Sequence, residues 1–262
     1  MNIASKRMRR RSLALFVGLI IATSAVAQTK PPLILHIAAA TDLQPVLPAL
    51  AAEYQKQSGT RLEVSFGSSS TLATQIINGA PMDVFLGADF TFPEKVVAAN
   101  LADQTAPAPY ATGTLVLWTR KDSGLAPLSV DGLINPRINR IAIADEFHAP
   151  FGRSAYAVLD ALKLRDKLKA KIVTAENVAQ AAQFAESGNA QAAFISLTLA
   201  STDHMRQIGT FELTPKLYIP LRQCGVVLKS SPNLAEAHRF LDWLRSESVQ
   251  SSLKRFGLEP AR

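Results

Sequence analysis

Small hydroxylated residues are concentrated at positions 66–72, which read Phe-Gly-Ser-Ser-Ser-Thr-Leu. Alternating apolar residues before this stretch predict a strand, and apolar residues at helical spacing after it predict a helix. The serines therefore fall at a helix N-terminus, where backbone N–H groups lack intrahelical partners and the helix dipole favours negative charge. Such a turn can bind an oxyanion through neutral donors alone, although serine is also an ordinary N-cap residue.

Three further strand-to-helix turns have a similar character. They are Thr41-Asp42, Pro150-Phe151-Gly152 and Glu176-Asn177-Val178. Ligands of open α/β sheets bind at the carboxyl ends of the strands, and a cleft between two lobes is a preferred concave site. We therefore expect the four turns, two from each lobe, to surround a small anion.

The elements that position these turns alternate between strand and helix, which predicts parallel sheets flanked by helices, an α/β fold. The first helix is expected to start at Thr41 or Asp42 and to be kinked by Pro48. The stretch 106–109, Ala-Pro-Ala-Pro, interrupts the alternation and marks a crossing into a second α/β unit. The expected division is 28–111 with 219–262 as lobe 1, and 112–218 as lobe 2.

The N-terminus has the pattern of a secretory signal peptide. Five Lys and Arg residues precede the apolar run 13–21, and Ala25-Val26-Ala27 provides a small-x-small cleavage site, so we expect cleavage after Ala27 and export from the cytoplasm. Without this segment, 23 of the 28 basic residues remain against 21 acidic ones, a formal charge of +2. A nucleic-acid-binding protein would show a basic face in its folded part, so no nucleic-acid partner is expected.

Enzyme chemistry finds less support in the sequence. A serine hydrolase would use Ser69 with His148 and Asp89, but the G-x-S-x-G elbow is absent because Thr71 stands at the second glycine position. The four histidines show no metal-ligand spacing, and the single cysteine, Cys224, lies in an apolar run as a buried, inert thiol would. We expect no catalytic residue, no directly coordinated metal and no cofactor.

Other ligands remain open at this level. Sulfate or phosphate could occupy the same kind of anion site, and a small organic carboxylate usually requires an arginine in the cleft. Arg153, next to Gly152, is the residue that could provide it.

The motifs around these turns resemble those of the periplasmic molybdate-binding proteins of the type II solute-binding superfamily. The similarity is carried by Ala38–Asp42, by Phe66–Leu72 followed by Gly79–Asp89, and by three segments further along the chain, His148–Gly152, Ala175–Val178 and Gly188–Ala190. It implies two lobes, each a mostly parallel sheet flanked by helices, joined by a two-stranded hinge with the ligand between them. It also implies a monomer, not an enzyme, that binds molybdate or tungstate and delivers it to the membrane permease of an ABC transporter.

The resemblance also implies a set of ligand-binding residues, namely Thr41, Asp42, Ser69, Phe151 and Val178. Thr41 and Ser69 would donate hydroxyl and backbone N–H groups, whereas the others would donate backbone N–H groups only. The Asp42 carboxylate is expected to turn away as a cap or to pair with a cation, because a dianion repels it. Ser196 stands where some members place a tyrosine; its shorter side chain is expected not to reach the ligand, so it is kept apart as a further candidate contact.

Overall fold

The computed structural model describes residues 32–261, and the predicted signal peptide lies outside them. The strands are β1 Ile34–Ala40, β2 Arg61–Gly67, β3 Val84–Gly87, β4 Ala108–Gly113, β5 Leu115–Arg120, β6 Ile141–Ala144, β7 Ile172–Ala175, β8 Ala192–Ser196, β9 Gly209–Leu213, β10 Leu221–Val227 and β11 Glu259–Pro260. The α-helices are α1 Leu47–Ser58, α2 Ser69–Ile77, α3 Thr91–Ala98, α4 Pro150–Ala161, α5 Arg165–Leu168, α6 Val178–Glu186, α7 Leu197–Ala200, α8 Asp203–Ile208, α9 Leu234–Leu244 and α10 Glu247–Ser252. Short 3-10 helices cover Thr41–Leu43, Lys121–Ser123, Asp131–Ile134, Lys169–Lys171 and Leu253–Phe256.

The first sheet has the strand order β11-β4-β10-β3-β1-β2. Strands β2, β1 and β3 are parallel, whereas β10 lies antiparallel between β3 and β4. Apolar residues of α1 and α9 share one buried cluster with this sheet, and those of α2 and α3 share another. Helices therefore cover both faces, which allows the central strands to be apolar throughout.

The second sheet has the order β7-β6-β8-β5-β9. Strands β7, β6 and β8 are parallel, and β5 and β9 add an antiparallel edge. One apolar cluster joins these strands to α4 and α6. Because α4 follows β6 and α6 follows β7, both helices begin at the carboxyl ends of parallel strands.

The α/β fold predicted from the sequence is confirmed, with one difference in detail. Both sheets are mixed, because strands connecting or following the parallel units enter antiparallel. The chain passes between the sheets from β4 to β5 and again from β9 to β10. The lobe boundaries at 111/112 and 218/219 stay a prediction. No helix within residues 32–261 combines the length and apolarity needed to cross a bilayer.

Two local predictions were wrong. Thr41–Leu43 forms a separate 3-10 turn and α1 begins at Leu47, so Pro48 occupies the first helical turn and no kink is needed. Pro109, expected to interrupt regular structure, lies within β4 opposite Cys224. The register of β10 shifts between Gln223 and Cys224, and such a bulge tolerates a residue that lacks an N–H group.

Candidate functional site

The turn Thr41–Leu43 carries Asp42, an ionisable residue of the site. It follows β1 directly, and Thr41 and Asp42 are both buried. The Gln223 Nε2 atom donates a hydrogen bond to Asp42 Oδ2, and the Thr198 hydroxyl donates to the Asp42 carbonyl oxygen at 2.6 Å. The turn is therefore held from the first sheet through β10 and from the second sheet through α7.

The serine-rich turn gives each of its three serines a different task. Ser68 caps α2, because its Oγ accepts the N–H of Thr71 at 3.1 Å. The Ser70 N–H donates to the carbonyl of His148 at 3.2 Å, a contact between elements of the two sheets. Ser69 is buried, and its Oγ accepts the N–H of Ala88 at 3.1 Å. Since that bond uses a lone pair, the Ser69 hydroxyl proton stays available for a ligand.

The start of α4 depends on a glycine. A Cβ atom at Gly152 would lie 2.1 Å from the carbonyl oxygen of Ala144, the last residue of β6. Only glycine therefore lets the helix begin this close to the strand. Pro150 occupies the first helical position, where its missing N–H is no loss, and the buried Phe151 follows it.

The start of α6 is capped by side chains on both sides of Val178. Asn177 is the N-cap and its Oδ1 accepts the N–H of Gln180 at 3.0 Å. The Gln180 side chain in turn accepts the N–H of Glu176 at 2.6 Å. These bonds hold the first turn of α6 in place while leaving the amide of Val178 at the helix tip.

The five ligand-binding residues predicted from the sequence line one small cavity. The space between these residues is small, which favours a compact ligand over a sugar, peptide or nucleotide. Its walls are Ala40, Thr41, Asp42, Gly67, Ser68, Ser69, Ala88, Ala149, Pro150, Phe151, Asn177 and Val178. No lysine, arginine or histidine is among these walls, in the part of the chain that the structure describes.

Asp42 is the one ionisable side chain in the cavity wall, within residues 32–261. Burial raises its pKa to about 7, and hydrogen bonds from Gln223 and from its own backbone offset this only in part. The carboxyl group was expected to turn away as a cap or to pair with a cation, whereas its hydrogen-bond partner is the neutral amide of Gln223.

Ser196 lies outside the cavity wall. It caps α7, its Oγ lies 2.7 Å from the Thr198 hydroxyl, and it accepts the N–H of Leu199 at 3.3 Å. Its influence on the site therefore passes through Thr198 to the backbone of Asp42.

The residues considered for hydrolysis are held by other partners. His148 Nδ1 lies 3.1 Å from Asp145, and Asp89 accepts from Arg153 at 3.0 Å. The structure therefore does not assemble a triad around Ser69. Among residues 32–261, no cluster of three or more His, Cys, Asp or Glu residues could hold a metal ion.

Arg153 and Cys224 also lie outside the cavity wall. The Arg153 guanidinium also donates to the Thr91 hydroxyl at 2.9 Å. The Cys224 thiol is buried and donates to the carbonyl of Asp89 at 3.2 Å, and burial raises its pKa. An inert thiol, as expected from the sequence, fits this environment.

Comparison with known proteins identifies the family of this chain. The family model described as bacterial extracellular solute-binding protein matches residues 35–259. The chain belongs to this family. One relative of this chain is the molybdate-binding protein ModA of Azotobacter vinelandii. The two are 31% identical over 255 residues, which cover 95% of this chain and 97% of that one. ModA of Rhodobacter capsulatus is 32% identical over 213 residues, 79% and 81% of the two chains.

A solved structure shows the same fold. The periplasmic molybdate-binding protein of Azotobacter vinelandii superposes with a TM-score of 0.81 at 33% identity, covering 87% of this chain and all of that one.

Two residues that hold the site were missed by the sequence analysis. Gln223 and Thr198 hold the side chain and the carbonyl of Asp42 from positions 181 and 156 residues away. Gln223 is a polar residue beside the apolar run Cys224–Leu228, and this was the one available signal. It could indicate a buried polar contact in β10 but not its partner.

Proposed function

We propose that this solute-binding protein captures molybdate outside the cytoplasm and delivers it to the membrane permease of an ABC transporter. The observation that carries the proposal is a cavity walled by four strand-to-helix turns and free of cationic side chains in the described part of the chain. Neutral donors at helix starts suit a permanently charged, dehydrated oxyanion. The two ModA relatives, named as molybdate-binding proteins, support the choice of ion.

The proposed contacts are hydrogen bonds to the oxygen atoms of the ion. Thr41 and Ser69 donate hydroxyl and backbone N–H groups, and Asp42, Phe151 and Val178 donate backbone N–H groups. Each bond to a charged ligand contributes about 1.5–3 kcal/mol net. Ser196 is proposed to act on the backbone of Asp42 through Thr198 instead of on the ion, and no cofactor takes part.

The proposal also includes the closure of the lobes, the location of the protein and its preference among ions. Two lobes, residues 28–111 with 219–262 and residues 112–218, close on the ion, and the monomer acts in the periplasm after cleavage near Ala27. Tungstate binds in the same way because it is also a tetrahedral dianion. Sulfate binds less well, since donors held at fixed spacing do not all reach a smaller ion.

A carboxylate ligand and a hydrolase activity have less support. Arg153, the cation that a carboxylate would need, donates to Asp89 and Thr91 away from the cavity wall. The candidate hydrolase residues are likewise bound to other partners.

Isothermal titration of the purified protein with molybdate, tungstate, sulfate and phosphate tests the proposal. We expect strong heat with molybdate and tungstate, and weak or no heat with the other two. Tight sulfate binding without molybdate heat would overturn the choice of ion, and turnover of an ester substrate abolished by Ser69→Ala would overturn the proposal that the protein is not an enzyme.

A further inference from the structure

The Asp42–Gln223 pair includes two buried polar atoms without hydrogen-bond partners. Among the described residues, three buried side-chain oxygen or nitrogen atoms lack a partner, and two of them are Asp42 Oδ1 and Gln223 Oε1. The other oxygen of the same carboxyl group, Oδ2, accepts a hydrogen bond from Gln223 Nε2. Both side chains are fully buried. A buried unsatisfied polar atom is costly and requires an explanation.

One proton would satisfy both atoms. A carboxylic acid has an O–H donor that a carboxylate lacks, and the amide oxygen of Gln223 is a free acceptor. With the proton on Oδ1, the acid donates to Gln223 Oε1 while Gln223 Nε2 donates to Oδ2, which closes a ring of two hydrogen bonds. We propose that Asp42 is a carboxylic acid in the folded protein, that it forms this ring with Gln223, and that the neutral ring lets the cavity accept a divalent oxyanion.

The surroundings of Asp42 favour the neutral form. The Thr41–Leu43 turn packs against α6 and α7. Helix α7 carries no ionisable side chain, and Glu186, at the far end of α6, pairs with His204. On the strands behind Asp42, burial raises the pKa of the nearby Tyr110 phenol, which therefore stays uncharged. The ionisable groups beyond them are paired or exposed. Asp89 pairs with Arg153, His148 lies against Asp145, and the exposed Arg222 lies over the ring of Phe90.

The functional half of the inference rests on the proposed function. An ionised Asp42 would place a negative charge in the wall of a cavity that holds a dianion, and among residues 32–261 no cationic side chain in that wall offsets it. A protonated Asp42 removes the repulsion, and its ring with Gln223 keeps the turn rigid so that the backbone N–H groups stay aimed at the ion. Asp42 is in this sense a positioning residue whose protonation state controls affinity.

The first experiment needs no ligand. Infrared difference spectroscopy of the full chain between pH 6 and pH 8.5 detects the C=O stretch of a protonated carboxylic acid. We expect a band that disappears as pH rises in the parent protein and is absent from Asp42→Asn. Asparagine has nearly the same shape and closes the same ring with Gln223 through two amides, so this variant is expected to fold. A missing band, or one unchanged in Asp42→Asn, overturns the ring.

The second experiment measures oxyanion affinity against pH, with the oxyanion that gives heat in the titrations above. Since burial raises the pKa of Asp42 to about 7, the neutral fraction falls about thirty-fold between pH 6 and pH 8.5. The dissociation constant of the parent protein should rise by about this factor, whereas that of Asp42→Asn should stay flat. A flat profile in the parent protein, or the same slope in both proteins, overturns the functional half.

One control variant tests whether another group causes the pH dependence of affinity. His148→Gln removes an imidazole near the site, and it should leave the slope unchanged. Loss of the slope in His148→Gln would assign the pH dependence to His148 and overturn the role of Asp42. If none of the four oxyanions binds at any pH, the proposed function and the functional half both fail, while the infrared result still decides whether the ring exists.

Discussion

The two sides of the cavity are built on different principles. The side that follows the first sheet presents Thr41, Asp42 and Ser69, whose side chains can donate, accept or carry charge. The side that follows the second sheet presents Phe151 and Val178, which can offer an anion only their backbone amides at the starts of α4 and α6. One side therefore depends on which side chain is present, and the other depends on where the helix begins.

This difference predicts two kinds of mutational sensitivity. On the first side, a change of a single polar atom should alter affinity, because that atom contacts the ion or sets the local charge. On the second side, side chains should matter for folding and for helix position, and affinity should change only when the backbone moves. The following predictions test that contrast, from the largest expected effect to the smallest.

The largest expected effect is the pH dependence of the unfolding free energy that Asp42 causes. Its pKa is about 7 in the folded protein against an ordinary value of 3.8, so between these two pH values the folded state keeps a proton that the unfolded state has lost. The associated stability is fully present below pH 3.8 and is lost as pH rises through 7, a total of about 4 kcal/mol. Urea unfolding of the ligand-free protein from pH 5 to pH 8 should detect about 2–3 kcal/mol of this loss.

Asp42→Asn is the reference for that measurement, because the other carboxyl groups titrate equally in both proteins. The difference in unfolding free energy between the two proteins should shrink as pH falls. A difference that is constant across this pH range would mean that Asp42 is ionised in the folded state, and the first side of the cavity would then carry a charge.

The next effect concerns helix position on the second side. Gly152→Ala places a Cβ atom 2.1 Å from the Ala144 carbonyl oxygen, so α4 must shift, at a cost of about 3 kcal/mol in unfolding free energy. Molybdate affinity should fall with it, because the amide of Phe151 moves. Titration and thermal unfolding measure the two quantities.

Gly67→Ala is the matched control on the first side. There the added Cβ atom meets only the flexible side chain of Leu72, at 3.1 Å. We expect a clearly smaller loss of unfolding free energy, and only this quantity is compared, because Gly67 itself lines the cavity. Equal losses in the two variants would show that α4 adjusts without cost and that its start is not a fixed part of the site.

Ser69→Ala tests a side-chain donor. Molybdate binding should weaken by about 1.5–3 kcal/mol, because one hydrogen bond to a charged ligand is lost. Ser70→Ala is the neighbouring control, since Ser70 uses its backbone N–H to hold His148 and lies outside the cavity wall. An unchanged dissociation constant in Ser69→Ala would limit Ser69 to its bond with the amide of Ala88.

Val178→Ala tests the opposite case and should have the smallest effect on binding. The backbone N–H is kept, so affinity should change by less than about 0.5 kcal/mol, below the range of a lost hydrogen bond. The unfolding free energy should fall by about 1.5 kcal/mol, because two buried carbon atoms are lost. A loss of affinity as large as that in Ser69→Ala would mean that the Val178 side chain shapes the cavity and that the two sides are alike.

The features predictable from the sequence are those that local chemistry decides. Ser68 and Asn177 cap α2 and α6 as such residues commonly do, and the parallel order of β1, β2 and β3 follows from the alternation of elements. The convergence of the turns on one cavity follows from the rule for carboxyl ends of strands. That these residues bind molybdate stays a prediction.

The features that sequence analysis missed depend on distant partners. Pro109 fits into β4 because β10 provides a bulge beside it, and Asp42 is held by Gln223 from the same strand. Pattern analysis cannot assign such pairs, since nothing near Asp42 in the sequence indicates that β10 will lie behind it. The late start of α1 was missed for a different reason, because Pro48 fits the first turn of a helix better than its interior.

The position of β10 also sets the order in which the molecule can be completed. The second sheet uses only residues 115–213, so it can form while the chain is still being made or exported. The first sheet has a gap between β3 and β4 until residues 221–227 arrive and insert there. Such long-range pairings form slowly. A truncated or partly emerged chain thus has two of its four candidate anion-binding turns, those at the starts of α4 and α6, on a finished sheet but leaves Asp42 without Gln223, so we expect ligand binding only from the finished chain.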